Sequence, residues 1–250
     1  MTIQIEQARR LAAQSKRPVF FTGAGMSADS GIPTFRDALT GLWARYDPTE
    51  LATGDAFARD PKLVWSFYEY RRDIVRRCAP NAGHRAIAAF ERDGKQVAVV
   101  TQNVDGFHQL TGSSQVLCLH GNIMENRCHH GCAGVFPAIA AADPGGPVPP
   151  ICQGCGRRSI RPNVVWFGET LDEDILLRAA SAVHECDLMV VVGTSGVVYP
   201  AAGLADLALR IGKPFVEINP EPTSWSEKAT LYLRGRASEI VPQILGDGEH

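Results

Sequence analysis

FFTGAGMSADSGIPTFRD, residues 20–37, decides the reading of this chain. The β-branched and aromatic run Pro18 to Phe21 leads into Gly23, Ala24, Gly25 and Ala28, the G-x-G-x-x-A spacing at which backbone amides approach a pyrophosphate. A dinucleotide is therefore the first ligand to expect. Glycines also serve such turns for steric reasons alone, so the continuation carries the weight. Ser27, Asp29 and Ser30 add polar side chains, and Gly31, Pro33, Phe35 and Arg36 prolong the segment as a loop where a plain dinucleotide fold starts its helix. An aromatic and a cation in a long loop read as a clamp over the ligand. The acid that holds the ribose about 20 residues later in dehydrogenases has no counterpart, because Asp47 and Glu50 follow no second strand.

Working outward, the runs VFF (19–21), VAVV (97–100), VLCL (116–119), LMVVV (188–192) and FVEI (215–218) are continuously apolar, as strands covered on both faces of a parallel sheet are. Helical patterns such as Ala82–Arg92 and Leu171–Cys186 separate them. The expected fold is α/β, a Rossmann-like doubly wound parallel sheet. Residues 41–79, with Trp, Tyr and Arg at helical spacing, and 126–160, rich in Cys, Gly and Pro, interrupt the rhythm and read as insertions forming a smaller helical and zinc-ribbon module. The expected organisation is thus 1–40, 80–125 and 161–250 for the dinucleotide part, 41–79 for the helical module and 126–160 for the metal-binding one. DPGGPVPP (143–150) reads as a loop.

The chain has 250 residues, 45% of them hydrophobic, ample for a buried core. Twenty-five basic residues against 27 acidic ones give a net charge of −2, so no electrostatic footprint for nucleic acid or an anionic membrane is present. No apolar run approaches the ~18 residues of a membrane span, and the N-terminus lacks a signal-like core. Ile5, Ala8, Leu11 and Ala12 recur at helical spacing and predict a packed first helix. A cytoplasmic location is expected. Of seven cysteines, Cys128 and Cys132, then, after 19 residues, Cys152 and Cys155 take zinc-ribbon spacing. His129 and His130 between the first two leave a Cys/His ligand set open. Four protein ligands would make the zinc structural. Cys78, Cys118 and Cys186 read as core residues.

Candidate chemistry clusters at strand ends. His120 in LHGN follows the run VLCL, where a parallel sheet presents catalytic groups, and a near-neutral pKa suits it to take a proton. TQNVDGFH (101–108) supplies Gln102, Asn103 and Asp105, more polar groups than a turn requires. His108 reads as structural. Gly193, Thr194 and Ser195 end the most apolar strand, and Asn219 and Glu221 the next. In WSFYEYRRDIVRR (65–77), Tyr68 and Arg71 share a helix face, where a phenol and a guanidinium together suit a carboxylate; by residue type alone, the reading of Arg71, Arg72, Arg76 and Arg77 as a solvated basic face is favoured over it.

GAGMSADSGIPTFRD, TQNVDGFH, LHGN, the paired cysteines, VVWFGE, GTS and INPE occur in this order over residues 23–221 and resemble the sirtuin family, NAD-dependent protein lysine deacylases. The resemblance implies NAD as co-substrate, one structural zinc, acyl-lysine proteins as substrates, and His120 as the general base acting on a hydroxyl of the nicotinamide ribose. It assigns Gln102 and Asn103 to that ribose and gives Asn103 a catalytic part. Asp105, with the backbone near Ile32, falls to the nicotinamide carboxamide. Gly193, Thr194, Ser195, Asn219 and Glu221 fall to the phosphates and adenosine ribose, with Gly235, Arg236 and Ala237 on the adenine side. Val165, Phe167, Gly168 and Glu169 of VVWFGE are assigned to the substrate backbone, added as a strand. Tyr68 and Arg71, preceded by the small Ala52, resemble the pattern of sirtuins that remove succinyl, malonyl and glutaryl groups, so a desuccinylase and demalonylase with some deacetylase activity is expected. An NAD-dependent protein ADP-ribosyltransferase and a non-catalytic zinc-containing binding module are the rival readings.

Overall fold

Residues with no polar side chain to solvate fill the middle of the molecule. All five apolar runs become strands: β1 (Pro18–Thr22), β2 (Ala98–Thr101), β3 (Val116–Cys118), β7 (Leu188–Val192) and β8 (Phe215–Asn219). The computed structural model describes residues 2–34, 46–132, 134–138 and 148–246. The clamp residues Phe35 and Arg36, and residues 143–147 of the expected loop, lie outside the described residues. A sixth strand, β9 (Leu231–Arg234), joins the edge. The spatial order is β3-β2-β1-β7-β8-β9, every pair parallel. Numbered within the sheet this is 3-2-1-4-5-6, the doubly wound order, whose reversal between β1 and β7 opens a crevice at the carboxyl ends of the strands.

Alternation along each strand divides the core into two. Phe20, Val99, Val190 and Val216 face helices α1 (Thr2–Gln14), α6 (Ala82–Arg92) and α10 (Ala237–Leu245), whereas Val19, Phe21, Met189 and Val191 face α8 (Glu173–Glu185) and α9 (Ala202–Arg210). The helices begin where polar caps satisfy their free amides. Asp172 accepts from Ile175 N at 3.0 Å, and Asn81 with His84 forms a capping box. Ile5, Ala8 and Ala12 of α1 are buried, as their spacing predicts.

The helix after β1 is a single turn, α2 (Gly25–Ala28). Among the described residues, α3 (Pro48–Leu51), α4 (Gly54–Arg59) and α5 (Pro61–Arg77) come next. The last starts at Pro61 behind the cap Asp60, which accepts from Leu63 N at 2.9 Å. A short helix, α7 (Phe107–Leu110), follows β2. The second sheet is antiparallel, in the order β5-β4-β6: β4 (Gly121–Cys128), β5 (Phe136–Pro137) and β6 (Ile160–Val164). The expected module boundaries at 125/126 and 160/161 therefore cut through β4 and β6. The second sheet starts one residue after His120, because Gly121, at φ +81°, lets β4 approach β6 so closely that a Cβ would sit 2.1 Å from Asn163 O. α5 packs on this sheet, and Phe67, Tyr68, Ile123, Val164 and Trp166 share one core with Ala52 and Phe57.

Candidate functional site

The turn after β1 owes its glycines to close packing against the end of β7. Gly23 N donates to Val192 O at 3.0 Å and Gly25 N to Gly193 O at 2.8 Å. Cβ atoms at Gly23 and Gly25 would lie 2.7 Å from Thr194 Cβ and 2.8 Å from Gly193 Cα. With α2 only one turn long, the contribution of a helix dipole is small, and side chains from neighbouring strand ends supply most of the polar groups.

Those strand ends are tied to one another. Gln102 Nε2 donates to Thr194 Oγ1 at 3.0 Å, and Asn219 Nδ2 to Thr194 O at 3.0 Å. The ends of β2, β7 and β8 thus hold the crevice at one width. Ser27 Oγ donates to Asp105 Oδ2 at 2.7 Å and receives Asn103 Nδ2 at 3.1 Å. His84 Nδ1 accepts from Asn81 N, which leaves its Nε2–H for Ser27 Oγ at 3.4 Å. Every hydrogen-bonding position of the Ser27 hydroxyl is then used, and Asn103 is held with its amide oxygen directed elsewhere. Asp105 also accepts from Phe107 N at 2.9 Å. Burial raises its pKa, and the two hydrogen bonds work against that rise. Ser27, named in the sequence reading without a role, and His84, not named there, are the orienting residues. Ser27 is signalled only by its polar character inside the glycine turn.

His120 lies between β3 and β4. Its Nδ1 is 3.0 Å from Gln102 O. A carbonyl can only accept, so Nδ1 carries the proton and Nε2 holds the lone pair of a base. Burial lowers its pKa, and the Gln102 carbonyl partly restores it. His108 is buried, as a structural histidine is, and donates from Nε2 to Thr22 Oγ1 at 3.1 Å, the Thr22 proton being directed to Thr101.

Further round the crevice, Ser195 is half-buried and Glu221 is exposed and paired with Arg234 at 3.0 Å. Ala237 is buried at the start of α10, and Gly235 N donates to Asn219 O at 3.2 Å. Arg236 and Ser238 both bond Asp29, the former at 3.3 Å and the latter at 2.6 Å, which joins this loop to the glycine turn. Hydroxyls, amides and carboxylates along a strand-end crevice match the donors and acceptors of a dinucleotide's ribose and carboxamide groups.

The segment after β6 runs beside the helical module. Val165 N donates to His120 O at 3.0 Å, Phe167 N to Ala52 O at 2.9 Å, and Thr53 and Phe167 form an isolated parallel bridge. Phe167 is 48% exposed despite its aromatic ring, and Gly168 has φ +87°. A groove of about 610 Å³ lies here, lined by Glu50, Thr53, Asp55, Arg59, Phe167 and Gly168 among others. Glu169 turns inward: its two oxygens receive the Arg161 guanidinium, at 2.5 and 2.9 Å, and Oε2 also receives Trp166 N.

On α5, Tyr68 is fully buried and its hydroxyl receives Trp166 Nε1 at 2.9 Å. The Arg71 guanidinium lies 5.6 Å from the Tyr68 ring centroid. Burial raises the Tyr68 pKa and lowers that of Arg71, each partly offset by the other. The solvated-face reading does not describe Arg72, whose side chain is buried and donates to Ile123 O, Glu125 O, Asn126 Oδ1 and Glu69. That anchor fixes the rotation of α5 and with it the faces of Tyr68 and Arg71.

The Sγ atoms of Cys128, Cys132, Cys152 and Cys155 lie within 4.8 Å of one another. Four thiolates about 2.3 Å from a tetrahedral zinc would be about 3.8 Å apart, so the cluster fits that ion. His129 is directed away from it, against Phe57 and Trp166 at centroid distances of 5.2 and 6.1 Å. This favours the all-cysteine ligand set. Cys186 is buried and Cys78 and Cys118 are half-buried, all three as free thiols.

The sequence profile of the Sir2 family matches residues 23–200. The chain is 50% identical over 240 residues to NAD-dependent protein deacylase 1 of Pseudomonas aeruginosa, covering 94% of this chain and 95% of that protein. It is also 50% identical over 234 residues to an NAD-dependent protein deacylase of Mycolicibacterium paratuberculosis, covering 92% and 96%. Among solved structures, a Sir2 homologue in complex with NAD superposes with a TM-score of 0.88 at 43% identity, over 96% of this chain and 92% of the other.

Proposed function

This chain belongs to the Sir2 family, and on that premise we propose which residues carry its NAD-dependent protein deacylation and which acyl groups it prefers. It removes acyl groups from protein lysine side chains at the expense of NAD, giving free lysine, nicotinamide and O-acyl-ADP-ribose. NAD, when bound, supplies an anomeric carbon from which nicotinamide can leave. The remaining work belongs to the protein. Gly23, Ala24, Gly25 and Ala28 bring backbone close to the phosphates, and Ser195, Asn219 and Glu221 serve the adenosine half. Asn103, held by Ser27, and Gln102, held by Thr194, orient the nicotinamide ribose. Asp105 accepts from the carboxamide. His120 takes a proton from a ribose hydroxyl at Nε2.

The observation that carries this assignment is the hydrogen bond of His120 Nδ1 to the Gln102 carbonyl, which leaves Nε2 as the basic nitrogen and ties the imidazole to the segment that carries Gln102 and Asn103. Burial keeps the imidazole neutral below its ordinary pKa, so the base is available across the neutral range. The substrate backbone lies along Val165, Phe167 and Gly168 in the groove beside the Thr53–Phe167 bridge, adding a strand by main-chain bonds. Cys128, Cys132, Cys152 and Cys155 would hold one structural zinc. A thiolate cluster of this kind belongs in a reducing compartment, which supports a cytoplasmic location.

The preferred acyl groups are the dicarboxylic ones, succinyl, malonyl and glutaryl, with acetyl a lesser substrate. Tyr68 and Arg71 offer a hydroxyl and a cation side by side, and Ala52, in the same core as Tyr68, is small, as in the pattern of sirtuins that take longer acyl chains. The test is Tyr68→Phe combined with Arg71→Met, assayed on matched succinyl- and acetyl-lysine peptides. Loss of charge-assisted hydrogen bonds should lower the succinyl-to-acetyl ratio of kcat/KM roughly ten- to a hundredfold. An unchanged ratio would overturn the acyl assignment.

A further inference from the structure

Tyr68 Oη lies among donors. The indole N–H of Trp166 occupies it as an acceptor at 2.9 Å, and the cation beside the phenol ring, Arg71, has no acceptor to offer. The carboxylate on the Trp166 segment, Glu169, is occupied by Arg161 and Trp166 N. A phenol whose oxygen already receives an N–H must direct its own proton to an acceptor on another side. Trp166 in turn has little freedom to turn. The Arg161 guanidinium lies 3.3 Å over its ring centroid, and Phe57 packs at 5.3 Å.

We propose that Trp166 is a positioning residue for acyl selectivity: its indole N–H sets the Tyr68 hydroxyl so that the phenol proton, beside Arg71, is presented to the terminal carboxylate of a dicarboxylic acyl chain. The inference rests on the acyl preference proposed above and extends it to a residue with no role in holding NAD or the substrate backbone. Burial of Tyr68 raises its pKa, so the hydroxyl keeps the proton it is to donate. The Arg161–Glu169 pair acts one step further back by holding the indole plane. An acetyl group, with no acceptor at its end, has nothing to receive this proton.

The experiment is a double-mutant cycle of Trp166→Phe and Tyr68→Phe, with succinyl- and acetyl-lysine peptides of one sequence. Trp166→Phe alone should lower the succinyl-to-acetyl ratio of kcat/KM about three- to tenfold, through KM for the succinyl peptide more than through kcat. In the Tyr68→Phe background, the same change should leave the ratio where Tyr68→Phe put it. Replacing Trp166 by β-(3-benzothienyl)alanine, which keeps the indole shape and lacks the N–H, should reproduce the Trp166→Phe effect and serves if that variant folds poorly. Equal losses on both peptides, or an undiminished effect in the Tyr68→Phe background, would overturn the role of Trp166. If Tyr68→Phe lowers the ratio and Trp166→Phe does not, only this inference fails. If Tyr68→Phe itself leaves the ratio unchanged, the dicarboxylic preference fails with it.

Discussion

His120 and His108 have the same side chain and opposite prospects. In His120 the Gln102 carbonyl fixes the proton on Nδ1 and leaves Nε2 as a basic nitrogen, whereas His108 is sealed between Thr22 and His84. His120→Ala should lower deacylation about 10²–10⁴-fold, the ordinary contribution of a general base, with NAD affinity by calorimetry nearly unchanged. Because burial lowers the His120 pKa, the acid limb of kcat/KM should fall below the ordinary histidine value; a limb at or above that value would contradict the assignment. The placement of these side chains was legible in the sequence, since His120, Gln102, Asn103 and Asp105 follow apolar runs that become β2 and β3, and strand ends are where a parallel sheet presents its chemistry. What orients them was not. Ser27 looks like any small residue in a glycine turn, and the Trp166–Tyr68 bond joins residues 98 positions apart. Nor could four arginines in one helix be sorted into exposed and buried by type, although Arg72 is 1% exposed.

Among elements, the parallel strands were readable because burial on both faces removes alternation. β4 was not, for its GNIMENRC sequence follows neither a helical nor a two-residue rhythm. Its start at Gly121 is set by a backbone approach that only the partner strand reveals. The zinc knuckles were plain from spacing, but not what they support. Trp65 of α5 packs in one cluster with Cys128, Cys152 and Ile160, and His129 packs on Trp166 and Phe57. The metal site thus buttresses the helix that carries Tyr68 and Arg71. Cys152→Ser should lower bound zinc, measured by atomic emission, and reduce Tm by more than about 5 °C, because metal binding energy here is folding energy. At partial zinc occupancy, succinyl turnover should fall before acetyl turnover.

For the whole molecule, acid is the predictable weakness. Burial holds the pKa of His108 down to about 4 and that of His84 still lower, aided by the charge of its neighbour. Once unfolded, both would take up protons near the ordinary 6.5. The unfolded chain therefore binds more protons below that pH, and stability falls as pH drops through the interval, by about 3 kcal/mol for His108 alone between 6.5 and 4. Thermal unfolding at pH 7.5, 6.0 and 4.5 should show Tm decreasing, with a shallower slope in His108→Gln. A second consequence follows from the core shared by Ala52, Tyr68, Ile123 and Trp166. On the ribosome, α5 leaves the exit tunnel well before the last cysteine of the cluster, Cys155, and Trp166 are made. For that interval its apolar face has only α3 and α4, through Leu51, Ala52, Ala56 and Phe57, to pack on, and the proposed Trp166–Tyr68 pair is among the last parts of the nascent chain able to assemble.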